Sequence, residues 1–389
     1  MVMAEKLDAV LSDSVARFDV PGVAAAVTGR DGLLYEAGYG VCQTGTTKAM
    51  TPDTIVWIAS MTKAVTGVAV MQCVEQGLLD LDVPAAEVIP YLGRVPVLEG
   101  FDEIGQPKLR AANGTITLRR LLTHTAGFGY ETWHEPIQRY STLIGLPPRA
   151  SGRKAAIKTP LMFDPGERWE YSVAIDWVGL MVEAVSGLNL GEYMRRNIFA
   201  PIGMSSTGFK LDDAMRARRA TIHQREDHGG LTPLPEFEFV QEPDYEAGGG
   251  GLYSTVRDYA AFTRMILNEG ESPGGRILEA GTVETMSANQ MGDCRVVELR
   301  TCDEKRSLDA ELFPDLPKTW GLTFMINEED APTGRPAGSL GWAGLSNCYF
   351  WIDPVNGLSG VYATQVLPFM DTKSLRLYLD LETVVYGSL

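Results

Sequence analysis

Residues 60–76 constrain the fold more than any other stretch. From Ser60 the chain reads Ser60-Met61-Thr62-Lys63-Ala64-Val65-Thr66-Gly67-Val68-Ala69-Val70-Met71, and Lys63 is its only charge before Glu75. A helix that is apolar all round has to be enclosed by the rest of the chain. The stretch begins where the apolar run Trp57-Ile58-Ala59 meets a serine, and it stops at Gly77, a residue suited to the position just past a helix end. If Ser60 opens the helix, its hydroxyl lies among unpaired N–H groups at the positive end of the dipole, and Lys63 lies one turn on, facing the same side. A serine hydroxyl is a poor nucleophile until a base takes its proton, and a lysine is such a base only where its surroundings keep it neutral. An N-cap serine followed by a surface lysine has the same S-x-x-K spacing. The apolar company of Lys63 weighs against that reading.

Composition sets the outer bounds. The 389 residues are 45% apolar and 22% charged, enough for a core in one large domain or two intertwined ones. A formal net charge of −16 argues against nucleic acid and anionic membrane surfaces as partners. Cys42, Cys73, Cys294, Cys302 and Cys348 are odd in number and lack C-x-x-C spacing, so neither a disulfide framework nor a zinc site is indicated. The N-terminus turns polar within a few residues and no run is long enough to span a bilayer, so a cytoplasmic protein is expected.

Along the chain, Leu7, Val10, Leu11, Val15 and Phe18 form a helical stripe, and Arg30-Asp31-Gly32 turns a hairpin between 23–28 and 33–41. Residues 78–114 are loop-rich. Thr117 to Phe128 reads as a short capped helix turning at Gly127, with His124 placed to hydrogen-bond backbone in a tight turn. Tyr171 stands just before a helix running from about 174 to 185 that Gly187 ends. Helical segments follow near 190–198 and 211–218, and 219–247 reads as irregular. Gly248 to Gly251 brings the chain back to a capped helix starting near Ser254. Gly270-Glu271-Ser272-Pro273-Gly274 matches G-x-S-x-G, yet a helix precedes it and a turn follows, so it lacks the strand-to-helix setting of a nucleophile elbow. Trp320–Ile326, 340–347, 348–352 and 358–366 alternate as strands, and a closing helix carries Leu375, Tyr378, Leu379 and Val385. The two ends of the chain must then meet in one antiparallel sheet flanked by helices, an α+β fold: 1–59 plus 248–389 form the sheet domain, 60–247 a mainly helical insertion, and Ser60 falls at the seam.

Three groups of residues, Ser60-Met61-Thr62-Lys63, Tyr171-Ser172-Val173 and Trp342-Ala343-Gly344, resemble in order and separation the motifs of the serine β-lactamase and penicillin-binding-protein superfamily. Within it the chain looks most like the family VIII carboxylesterases, and the resemblance extends to 121–127 and 249–255. It implies a β-lactamase-like fold in which Ser60 is the acylated nucleophile, Lys63 its proton acceptor and Tyr171 a proton relay. The N–H groups of Ser60 and Leu345 would form the oxyanion hole, and no cofactor or metal is required. Two departures bear on substrate. Trp342-Ala343-Gly344 replaces K-T-G, which puts a neutral aromatic wall where a cation would hold a substrate carboxylate, and Val173 stands where β-lactamases carry Asn. With Trp342, Ala343, Gly344 and Val173 read as pocket residues, the expectation is a serine esterase acting on small, short-chain acyl esters. An acyltransferase of the statin-synthase type, a weak β-lactamase or D-amino-acid peptidase, and a non-catalytic binding protein are the alternatives.

Overall fold

The computed structural model describes residues 2–17 and 19–389. Helix α1 (Met3–Ala16) leads into β1 (Gly22–Gly29) and β2 (Leu33–Gly40), and the nearly charge-free helix is α2 (Thr62–Glu75). Then come α3 (Ala174–Ser186) and α4 (Val256–Leu267), the strands β3 (Lys318–Trp320), β4 (Met325–Asn327), β5 (Leu340–Gly344), β6 (Cys348–Asp353) and β7 (Leu358–Ala363), and α5 (Thr372–Tyr386). The seven strands form one antiparallel sheet in the order β3-β4-β5-β6-β7-β1-β2, so strands from the two ends of the chain join where β7 pairs with β1. This is an α+β fold, with helices on both faces of the sheet. Of the N-terminal stripe, Leu7 and Leu11 are fully buried, while Phe18 lies outside the described residues.

Neighbouring residues of β6 show how the sheet is covered. Tyr349 stacks on Tyr378 of α5 with ring centroids 4.4 Å apart, and the next residue, Phe350, packs on Tyr259 of α4 at 5.2 Å. Successive strand residues point to opposite faces, so α5 and α4 lie on opposite sides. Every residue of β6 and β7 is therefore buried, and these strands read as continuous apolar runs rather than a one-sided alternation.

Two local expectations change. The stretch expected as one strand, Trp320–Ile326, is a hairpin: β3 and β4 are joined by a turn in which Thr323 has φ +78° and a Cβ on Gly321 would lie 2.1 Å from the Met286 carbonyl. The segment 219–247 contains strands Ile222–Arg225 and Leu231–Leu234, which join Val366–Leu367 in a small sheet. Pro233 sits in the outer strand of that sheet, where a missing N–H is tolerated, and its presence disguised the strand.

Helix α2 is the hub. Every residue from Thr62 to Cys73 is buried, and it packs against α3.

Candidate active site

Ser60 sits two residues before the start of α2 rather than in its first turn. Residues Ala59–Met61 form a 3-10 turn, and Ala59 adopts φ +44°, a strained conformation for a residue with a Cβ. The turn is fixed from outside. Ile58 N donates to Leu252 O at 3.1 Å, and Tyr259 on α4 donates its hydroxyl to Met61 O at 2.9 Å. On the sheet side, β5 comes so close that a Cβ on Gly344 would lie 2.3 Å from the Ile58 carbonyl.

Lys63 is fully enclosed. Its Nζ lies 3.2 Å from Ser60 Oγ, 3.0 Å from the Tyr130 hydroxyl and 2.6 Å from Gly249 O. Burial holds this amine well below the usual lysine range; Asp176 pulls it back up and Arg149 pushes it further down. A neutral amine has two N–H donors and one lone pair, which match Gly249 O, Tyr130 and the Ser60 O–H. The arrangement can accept a proton from serine.

Tyr171 completes the cluster. Its ring lies 4.7 Å from Lys63 Nζ, and the Trp342 indole N–H donates to its hydroxyl at 2.9 Å. Burial raises its phenol above the usual tyrosine value, against hydrogen bonds with Ser60 and Trp342 that lower it, so the group stays protonated at neutral pH. His124, at φ +57° in its turn, bonds the Ser172 hydroxyl through Nδ1 at 3.1 Å, a side chain where sequence pointed to backbone. Its ring lies 4.9 Å from Tyr171 and supports it from below. Burial keeps His124 neutral.

The pocket over Ser60 is walled by Trp57, Tyr130, Trp133, Arg149, Phe237 and Phe239, with Leu345 and Leu367 beside them. Phe237 and Phe239 lie against Trp57 at ring distances of 5.2 and 5.8 Å. The four residues expected to line the pocket do other work. Val173 is fully buried at the start of α3, Trp342 turns its N–H to Tyr171, and Ala343 and Gly344 form the strand that braces the Ser60 turn. Leu345 and Ser60 both face the pocket, and among the described residues neither N–H is given to another loop carbonyl or a side chain.

Sequence reasoning missed Tyr130, Arg149 and Asp176. Asp176, fully buried in the first turn of α3, accepts the Gly249 N–H at 2.8 Å, so it anchors the residue whose carbonyl orients Lys63. The position of Asp176 in the first turn of a helix announced by Tyr171 was the available signal; Tyr130 and Arg149 carried none. Ser272 lies in a short hairpin and donates to Gly275 O at 2.7 Å, away from this pocket. Among the described residues no group of three or more His, Cys, Asp or Glu is arranged to hold a metal ion, and no helix is long and apolar enough to cross a membrane.

Proteins similar to this chain include acyltransferases and an esterase. Monacolin J acid methylbutanoyltransferase of Aspergillus terreus is 32% identical over 345 residues, covering 86% of this chain and 82% of its own length. Lovastatin esterase of Penicillium rubens is 30% identical over 332 residues, 81% of each chain. The unliganded simvastatin synthase of Aspergillus terreus superposes with a TM-score of 0.84 at 28% identity, covering 99% of this chain and 98% of its own. Acyl transfer and ester hydrolysis are two outcomes of one class of serine enzyme, and this chain is of that class. The family model described as Beta-lactamase matches residues 7–384, and the chain belongs to that family.

Proposed function

We propose that this protein is a serine acyltransferase that takes an acyl group from an ester onto Ser60 and passes it to an alcohol, with hydrolysis as the competing outcome. The observation that carries this reading is the contact of the Ser60 hydroxyl with a buried amine, Lys63, beside a protonated phenol, Tyr171. Lys63 takes the serine proton as Oγ attacks the ester carbonyl. The resulting oxyanion lies toward the N–H groups of Ser60 and Leu345. Tyr171 gives its proton to the departing alkoxide and recovers one from the Lys63 ammonium. The second half reverses these transfers, with an incoming alcohol or water in place of the leaving group. Because burial raises the Tyr171 phenol and lowers Lys63, the amine is assigned as base and the phenol as acid.

Sequence alone favoured simple hydrolysis. Likeness to a methylbutanoyltransferase over most of the chain moves acyl transfer ahead, while likeness to an esterase keeps hydrolysis as the second reading. Partitioning tests the choice: the protein is given p-nitrophenyl butyrate with and without added 1-butanol. Transfer predicts butyl butyrate growing with alcohol at the expense of butyrate. Butyrate as sole product at every alcohol concentration would leave hydrolysis, and equal nitrophenol release by Ser60→Ala would remove both.

A further inference from the structure

Arg149 enters the pocket behind Tyr130, its guanidinium 4.4 Å from the centroid of that ring. Tyr130 in turn touches Lys63, so one aromatic ring separates this cation from the reacting cluster. The fork of Arg149 is little used. Its one carboxylate contact is Nη2 to Asp176 Oδ2 at 3.4 Å, while the other oxygen of Asp176 already accepts the Gly249 N–H. Its Nε is buried without a partner, and Glu131 and Tyr245 act on it only at longer range. The other charged pocket residues are paired: Arg306 with Asp303, and Glu238 with Arg216 and Arg219.

The pocket has a second character elsewhere. Trp57, Phe237, Phe239, Leu345 and Leu367 belong to a separate apolar cluster, which suits an acyl chain. The leaving or incoming alcohol has to meet Tyr171, whose ring lies 5.2 Å from that of Tyr130, and so lies on the Arg149 side. A planar guanidinium with free donors matches a carboxylate, and the nearby Asp176 disfavours a dianion such as phosphate. We propose that Arg149 binds a carboxylate carried by the alcohol part of the substrate. The proposal rests on the acyl-transfer reading of the same site. It returns to the pocket, from a different element, the cation that Trp342 had seemed to remove.

The test compares 3-(butanoyloxy)benzoate with its methyl ester, two substrates with one acyl group that differ in the charge of the alcohol part. The native protein is expected to favour the carboxylate through KM. In Arg149→Gln the ratio of kcat/KM for the two should fall about tenfold or more, the loss typical of a hydrogen bond to a charged group, and Arg149→Lys should restore part of it. Binding of 3-hydroxybenzoate and methyl 3-hydroxybenzoate, followed by isothermal titration calorimetry, reads the same preference without turnover and without any variant. A native protein that binds acid and methyl ester alike, or a ratio unchanged in a folded Arg149→Gln, overturns the proposal. Preferred binding of the acid with no acylation of Ser60 by either ester would keep the anion site and remove the acyl-transfer reading.

Discussion

Replacing Gly344 with alanine tests whether β5 positions the nucleophile. An added Cβ would lie 2.3 Å from the Ile58 carbonyl and 3.4 Å from the Ala59 Cβ. The first distance is about 1 Å short of ordinary contact, and neither partner yields easily, because one is backbone and the other belongs to the strained Ala59. The strand and the Ser60 turn must therefore part by about 1 Å. Overpacking of this kind costs about 1–3 kcal/mol of stability. The larger effect falls on chemistry: Leu345 follows Gly344 directly, so its N–H moves relative to Ser60, and displacements of about 1 Å can cost roughly a hundredfold in rate. Gly344→Ala should thus lose about a hundredfold in kcat/KM for p-nitrophenyl butyrate while its urea midpoint falls moderately. Gly281→Ala, where a Cβ meets nothing within 4 Å, is the matched control and should keep its rate. A Gly344→Ala protein with native kcat/KM would refute the claim that close approach of strand and turn builds the site.

Lys63→Met should abolish acylation yet raise the urea midpoint at neutral pH. Burial lowers the Lys63 pKa in the folded state, so the unfolded chain binds a proton that the folded one rejects, and this cost grows as pH falls below the unfolded value of about 10.4. A lower midpoint than native at pH 7 would contradict the burial argument. Asp176→Asn removes the carboxylate that raises Lys63, so the acid limb of the kcat/KM profile should move to lower pH; a shift upward would reverse the assignment. Ser272→Ala should leave nitrophenol release unchanged, since that hydroxyl bonds the Gly275 carbonyl of its own hairpin and the Pro201 carbonyl of a neighbouring helical turn, away from the pocket.

What sequence revealed and what it hid follow from the range of the contacts involved. Ser60 and Lys63 are three residues apart on one turn, so their meeting is a local property, and the absence of other charge up to Glu75 announced the burial of Lys63. Tyr171 was legible from its place before a helix, together with the order of motifs. Tyr130 and Arg149 were not, because Tyr130 reaches Lys63 across 67 positions and lies in a loop with no periodic signal. Trp342 was read as pocket wall because it stands where the resembling family carries K-T-G; which way its indole N–H points depends on Trp320 packing at 4.7 Å and on the Tyr171 hydroxyl, and both are tertiary facts. The same limit applies to the hairpin at 320–326, where the close approach of the Met286 carbonyl leaves no room for a Cβ at Gly321.

Mass spectrometry of acid-quenched protein after brief exposure to p-nitrophenyl butyrate addresses the central claim most directly. A butyryl group should appear in stoichiometric amount on the peptide containing Ser60 and be absent from Ser60→Ala. Its appearance on the peptide containing Ser272, or equal labelling of Ser60→Ala, would contradict the account.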